Sequence, residues 1–144
     1  MLVSQILKSK AEGGVVTVLP GTTVAVAAET LSTRRIGAVI VSPDGRQVLG
    51  IVSERDIVRE LGKRGAGCLS EKVDGLMTSR IISCARGDQT DEVLQKMTDG
   101  RFRHMPVIED GVMVGLISIG DVVKARLAEL SAEKEALEGM IKGF

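Results

Sequence analysis

The apolar positions of this chain fall into blocks of strand length and helix length, and the same order of blocks occurs twice. The first copy predicts a strand at residues 15–18, a helix at 24–33, a strand at 37–41, a returning strand at 48–52, and a helix that begins at Ser53 and ends near Gly62 and Gly65. Pro43-Asp44-Gly45 is typical of a turn between neighbouring strands. We therefore predict a β-α-β-β-α unit.

The second copy follows about 65 residues later. It predicts a strand at residues 81–83, a helix at 90–99, a strand at 105–108, a turn at Asp110-Gly111, a strand at 112–117 and a helix that begins at Ser118. Between the copies, residues 65–67 and 70–78 predict a connector with one short helix. Because one unit is too small to bury its apolar face alone, we expect both copies to fold as one α/β (α+β) body.

The last predicted helix continues beyond the second copy. Residues 122–138 contain no Gly or Pro, and Val123, Leu130 and Leu137 recur every seven residues; Leu127 and Ile141 lie on the adjacent stripe, which Lys134 interrupts. This pattern indicates either a short seam for homodimerisation or a helix that lies along its own domain. We divide the chain into a first repeat with an N-terminal helix (1–66), a second repeat with the connector (67–128) and a C-terminal helix extension (129–144).

The strongest internal similarity lies where a strand passes into a helix. Gly50-Ile51-Val52-Ser53-x-x-Asp56 returns as Gly115-Leu116-Ile117-Ser118-x-x-Asp121. A serine with an acid three residues later is typical of a helix cap, worth about 1 kcal/mol. The same groups could also bind a mononucleotide, because a helix N-terminus attracts phosphate and a carboxylate accepts hydrogen bonds from a ribose diol. Packing requires only the apolar pattern, so the retained glycine, serine and aspartate favour a binding site.

The composition limits the partners of the chain. The 19 basic residues balance the 19 acidic residues, so no long-range field attracts nucleic acid or an acidic membrane. Trp and Tyr are absent and there are 2 Phe, which leaves almost no platform for base stacking. The apolar stretches are far shorter than the roughly 20 residues of a membrane span, and no signal-like leader is visible. We expect a soluble cytoplasmic protein in which Cys68 and Cys84 are idle or buried thiols.

The sequence contains no recognisable catalytic set. There is a single histidine, His104, and neither a Cys-His pair nor a metalloprotease or nucleophile-elbow motif. The glycine patterns of P-loops and dinucleotide-binding folds are also missing. We therefore expect no enzymatic activity, no catalytic cofactor and no metal site.

Together, the two strand-to-helix motifs and the segment Arg103-His104-Met105-Pro106-Val107-Ile108 resemble the tandem cystathionine-beta-synthase (CBS) domain pair, or Bateman module. The similarity spans residues 1–128, and Ser53-Glu54-Arg55-Asp56 is close to a form common in small stand-alone bacterial members. The resemblance implies two repeats packed through their sheets about a pseudo-two-fold axis, with two clefts for adenosine-containing ligands. Such ligands are AMP, ADP, ATP, and in some members NAD or S-adenosylmethionine.

The resemblance also implies roles for individual residues. Asp56 and Asp121 would bind ribose, with Ser53 and Ser118 near the ribose or phosphate. The remaining implied ligand-binding residues are Thr17, Gly37, Ala38 and Arg55 for one site, and Ser83, Arg103, His104, Met105 and Pro106 for the other.

The two copies differ, which predicts sites of unequal affinity. Gly37-Ala38-Val39 stands where the second copy has His104-Met105-Pro106, and Ile119-Gly120 replaces Glu54-Arg55. We expect Arg55 to serve the Asp56 site, and Arg103 with His104 to serve the Asp121 site. His104 is alternatively a half-exposed packing residue. Four arginines are alternatively solvated charges at helix ends: Arg34, Arg35, Arg101 and Arg103.

The leading hypothesis is a regulatory, nucleotide-sensing module that acts through a homodimer or an unknown regulated protein. The alternative is a structural dimerisation or interaction protein in which Ser53 and Ser118 serve only as caps. An enzyme that uses NAD as a redox partner is a third possibility, which would require a measurable turnover.

Overall fold

The computed structural model describes residues 1–10 and 14–143. Its elements, in chain order, are α1 (Val3–Ser9), β1 (Thr17–Val18), α2 (Val24–Arg34), β2 (Ala38–Val41), β3 (Gly50–Ser53), α3 (Glu54–Arg64), two 3-10 turns (Ala66–Ser70 and Val73–Gly75), α4 (Thr90–Gly100), β4 (His104–Glu109), β5 (Val112–Ser118) and α5 (Ile119–Ile141). The predicted mixed fold is confirmed, including the extended C-terminal helix. The prediction of one short helix in the connector is wrong, because this segment forms two separate 3-10 turns.

The first repeat is built on a three-stranded sheet in the order β1-β2-β3. β1 runs parallel to β2, with Thr17 opposite Ile40. β3 runs antiparallel to β2, with Ala38 opposite Ser53. The crossover from β1 to β2 is made by α2, and the chain passes from the end of β3 directly into α3. This register places the start of β2 beside the first turn of α3.

In the second repeat, β4 and β5 form a two-stranded sheet. Asp110 and Gly111, with φ angles of 51° and 77°, join them in the two-residue turn that the sequence predicts. The predicted strand at residues 81–83 is wrong: only Cys84 pairs with β4, through a parallel bridge to Val107. The chain bends immediately after Cys84, because the Asp88 carboxylate accepts a hydrogen bond from Ala85 N at 2.9 Å.

The backbone contacts divide the chain into two compact units. One contains Gly13–Ile82 and Glu109–Gly115, and the other contains Met1–Glu12, Ser83–Ile108 and Leu116–Phe144. Helix α1 therefore packs in the unit of the second repeat, although the sequence division places it with the first. The predicted boundaries at residues 66 and 128 stay predictions.

Each unit has its own buried side chains. In the unit of the first repeat, apolar residues from α2, β2, β3, α3 and the second 3-10 turn form one cluster: Val24, Ala27, Leu31, Val39, Val41, Val52, Ile57, Val73 and Leu76. In the other unit the buried residues come from α1, the bridge, α4, β4, β5 and α5, and include Val3, Ile6, Cys84, Val93, Met97, Met105, Val107, Ile117 and Val122. The helices cover the sheets because their apolar stripes match the apolar strand faces.

Candidate functional site

The junction of β3 and α3 is fixed by a reciprocal cap. Asp56 N donates to Ser53 Oγ at 3.2 Å, while Ser53 N and Ser53 Oγ both donate to Asp56 Oδ2 at 2.9 Å. The same arrangement occurs at the junction of β5 and α5. Ser118 N donates to Asp121 Oδ2 at 2.8 Å, and Asp121 N donates to Ser118 Oγ at 3.1 Å. Both Ser-x-x-Asp motifs therefore form capping boxes.

The glycine of the first motif also has a packing role. A Cβ atom at Gly50 would overlap with the side chain of Met77, so any larger residue would displace that side chain. Thus packing and capping account for Gly50, Ser53 and Asp56 together. The recurrence of glycine, serine and aspartate in both motifs therefore does not by itself distinguish a ligand-binding site from a structural junction.

The first amide of each helix bonds to the strand that begins beside it. Glu54 N donates to Gly37 O at 2.9 Å, and Ile119 N donates to Arg103 O at 2.8 Å. This bond brings the backbone of Gly37 and Arg103 next to the motifs. It also leaves fewer backbone amides available to bind a phosphate, because two of the first three amides of each helix already donate within their own repeat.

The other predicted residues of the first repeat lie on the same edge. Ala38 is buried and opposite Ser53, and Thr17 lies on the neighbouring strand opposite Ile40. Arg55 is exposed in the first turn of α3. The structure therefore gathers Gly37, Ala38, Ser53 and Asp56, and places Thr17 one strand away.

The second repeat exposes its predicted residues to different degrees. Arg103 is exposed and His104 is half-buried at the start of β4, next to the cap of α5. Met105 and Pro106 are buried, and Pro106 O accepts a hydrogen bond from Cys84 N at 3.0 Å. Ser83 is half-buried and directly precedes the bridge at Cys84.

Three of the four predicted arginines lie at helix ends, and Arg34 is the last residue of α2. Arg35 and Arg101 are the C-caps of α2 and α4, with φ angles of 54° and 56°. Both side chains are exposed, and a cation at this end of a helix interacts favourably with the helix dipole. These positions fit the alternative interpretation, in which the arginines are solvated charges at helix ends.

Each motif carboxylate has a cationic partner that sequence reasoning missed. Arg59 Nη2 lies 2.9 Å from Asp56 Oδ1, and the spacing of three residues on one helix was a usable signal. Lys10 Nζ lies 3.0 Å from Asp121 Oδ2 and also donates to Leu116 O at 2.6 Å. No sequence signal connects Lys10 with Asp121, because 111 residues separate them.

The electrostatic environment favours the ionised form of Asp121. Burial of the carboxyl raises its pKa, but hydrogen bonds from Ser118 and Lys10 and the charge of Lys10 outweigh burial, so the pKa lies below its ordinary value of 3.8. The group thus remains an anion and an acceptor near neutral pH. Its side chain is 26% exposed, and that of Asp56 is 12% exposed.

Cys68 and Cys84 are both buried. Among the residues that the structure describes, no cluster of His, Cys, Asp and Glu has the makings of a metal site. Within the same residues, no helix combines the length and apolar character required to cross a membrane.

Comparison with known proteins relates these repeats to a family. The family model of the CBS domain matches residues 3–63 and 73–128. The mitochondrial CBS domain-containing protein CBSX3 of Arabidopsis thaliana is 35% identical over 148 residues, covering 98% of this chain and 72% of that protein. Several other curated relatives are much longer, and the chain spans 22% to 25% of their length.

Solved structures share the fold over most of the chain. The crystal structure of a CBS-domain-containing protein from Agrobacterium tumefaciens has 44% identity and a TM-score of 0.83, covering 88% of this chain and 99% of that one. A CBS domain protein from Pyrobaculum aerophilum, complexed with AMP, has 25% identity and a TM-score of 0.76, covering 92% and 99%. With two matched repeats and these relatives, the chain belongs to the CBS domain family.

Proposed function

We propose that this protein is a regulatory, non-catalytic module that binds adenine nucleotides. The observation that carries the proposal is the state of the two motif aspartates. Each is fixed by its capping serine, and its side chain stays partly exposed, 12% for Asp56 and 26% for Asp121. A fixed, partly exposed anion is suited to accept hydrogen bonds from the two hydroxyls of a ribose.

The neighbouring groups would hold the rest of the ligand. In the first repeat, the backbone of Thr17, Gly37 and Ala38 would frame the base, and Arg55 would meet the phosphate. In the second repeat, the backbone of Ser83, Met105 and Pro106 would frame the base, with Arg103 and His104 toward the phosphate. Since most first-turn amides are engaged, the arginines would supply most of the attraction for phosphate.

The identity of the ligand is a narrower proposal. AMP is favoured because a relative with 25% identity over most of both chains binds it. ADP, ATP and NAD remain candidates that share the same adenosine moiety. A bound nucleotide regulates only if it binds one conformation better than another, so we propose that it shifts the conformation of a dimer or of a regulated partner.

Calorimetric titration tests the proposed function directly. We expect measurable heat for AMP, and for at least one of ADP, ATP and NAD, at protein concentrations of about tens of micromolar. Guanosine monophosphate is the control for the base, because it carries the same ribose and phosphate. If none of the adenine nucleotides gives heat, the proposed function is wrong.

The capping boxes favour a second candidate function. Ser53 with Asp56 and Ser118 with Asp121 complete their own helix starts, as a purely structural module would require. The protein would then be a dimerisation or interaction protein without a physiological nucleotide. The comparison of Asp56→Asn with wild type, described in the Discussion, separates the two candidates.

We further propose that the end of α5 pairs with a second copy of this chain. Beyond Glu129 the side chains of α5 are exposed, including Leu130 at 45% and Leu137 at 59%. Pairing with a second copy would bury Leu130 and Leu137 and would stabilise this exposed end of α5. Lys134 lies in the same apolar seam, with its Nζ 3.9 Å from Glu138 Oε1 of its own helix, and the flanking Glu133 offers complementary charge to the Lys134 of a second copy.

Substitutions in this seam test the pairing. We expect Leu130→Glu with Leu137→Glu to give a monomer in sedimentation velocity, because four acidic side chains would face each other in the dimer. The matched control is Ala132→Glu, which adds an acid to the same helix outside the seam and should leave the dimer intact. A monomeric wild type, or a dimer that survives the double substitution, would contradict the pairing.

A further inference from the structure

Lys10 belongs to a segment that is anchored on the second repeat. It directly follows α1, whose Val3 and Ile6 are buried. Val3 N donates to Asp88 O at 2.9 Å and Ser4 N donates to Arg86 O at 3.0 Å. The packing of α1 therefore fixes the position of the Lys10 backbone, from which its flexible side chain extends.

The ammonium group of Lys10 bridges two atoms of the β5–α5 junction. Its Nζ lies 3.0 Å from Asp121 Oδ2 and 2.6 Å from Leu116 O. An ammonium has three donors, and this geometry uses two of them on the β5–α5 junction. Lys10 thus occupies acceptor capacity of the carboxylate that the proposed function assigns to the ligand.

In the first repeat, the residue equivalent to Leu116 has a different hydrogen-bond partner. Ile51, the counterpart of Leu116, pairs with the backbone of Thr78 through bonds of 3.0 and 2.9 Å. Within the described residues, Asp56 forms its ion pair with Arg59 of its own helix and not with a lysine from a distant segment. A cation brought in from another element is therefore a feature of the Asp121 site.

We propose that Lys10 lowers the affinity of the Asp121 site by competing with the ligand ribose for the Asp121 carboxylate. This inference rests on the proposed function. Lys10 contacts Asp121 Oδ2, so a ribose that bonds to this oxygen must displace the Lys10 side chain. Lys10 is 39% exposed, so its side chain has room to leave.

The size of the competition follows from the exposure of the ion pair. Partly exposed ion pairs of this kind change an equilibrium by about two- to fivefold. We expect adenosine to bind the Asp121 site of Lys10→Met about two- to fivefold more tightly than the same site of the wild type. Adenosine is the probe because it carries the ribose without a phosphate that the ammonium could attract.

Residue-resolved NMR titration measures the two sites separately. The amides of Arg55 and Gly120, which lie in the first turns of α3 and α5, report on the Asp56 and Asp121 sites. The matched control is Lys8→Met, which removes the same charge from an exposed position on α1. We expect this control to leave both affinities unchanged, and Lys10→Met to leave the Asp56 affinity unchanged.

A second variant and a second ligand complete the test. Lys10→Gln should tighten adenosine binding in the same direction, and the amide spectra show whether each variant is folded. Unchanged adenosine binding in both variants would overturn the competition. Weaker AMP binding with unchanged adenosine binding would also overturn it, because Lys10 would then be a phosphate ligand. If neither wild type nor variants bind any adenine compound, the proposed function fails together with this inference.

Discussion

Asp56→Asn is expected to weaken adenine-nucleotide binding at the first repeat by about 10- to 150-fold, with the fold retained. A charge-assisted hydrogen bond is worth about 1.5–3 kcal/mol, and the amide group cannot accept from both ribose hydroxyls as a carboxylate does. Asparagine can still accept a hydrogen bond from Ser53 N, so the altered helix cap should lower the free energy of unfolding by at most about 1 kcal/mol. Calorimetry with AMP and urea unfolding measure the two effects.

Glu54→Gln is the matched control for this substitution. Glu54 is an exposed acid in the same helix turn, and its replacement removes the same charge without touching the capping box. We expect AMP affinity within about twofold of wild type, because exposed charges act weakly through solvent. Equal affinities for wild type and Asp56→Asn would contradict the ribose role and favour the structural alternative.

Ile57→Ala is expected to lower the free energy of unfolding by about 2–5 kcal/mol, the range for removing a buried aliphatic side chain and leaving a cavity. Ile57 is 5% exposed and belongs to the apolar cluster that holds α3 on the sheet. Since α3 carries Asp56 in its first turn, this packing also positions the candidate site. Urea unfolding followed by circular dichroism gives the change.

The adjacent residue provides the control. Val58 is 66% exposed, so Val58→Ala removes a side chain of the same class from the same helix without opening a cavity. We expect a change within about 0.5 kcal/mol, since surface substitutions of this kind have small effects. A similar loss for both variants would contradict the role of the cluster, because alanine is a better helix former than valine or isoleucine and does not destabilise α3 through propensity.

Local signals predicted most of the fold. The turn Asp110-Gly111 requires positive φ angles that only a few residue types adopt easily, and the structure has that turn. Ser53 and Ser118 were predicted as helix starts, and both are N-caps. These features depend on residues a few positions apart, which is why a single sequence contains them.

The prediction failed where a strand depends on its neighbour. Residues 81–83 are apolar enough for a strand, yet this described segment pairs with β4 at Cys84 alone, through the parallel bridge to Val107. Thr17 and Val18 have a similar composition and do pair with β2. The difference lies in the partner backbone, which an apolar run does not specify.

The sequence by itself determined the β-α-β-β-α order of the first repeat, the α-β-β-α order of the second and the two Ser-x-x-Asp caps, because helix periodicity, strand length and capping act over short separations. Only the tertiary structure decided which cation meets which aspartate. Arg59 reaches Asp56 within one helix, whereas Lys10 reaches Asp121 across 111 residues after α1 has packed on the second repeat. Such a contact depends on where whole elements pack, and no local pattern encodes it.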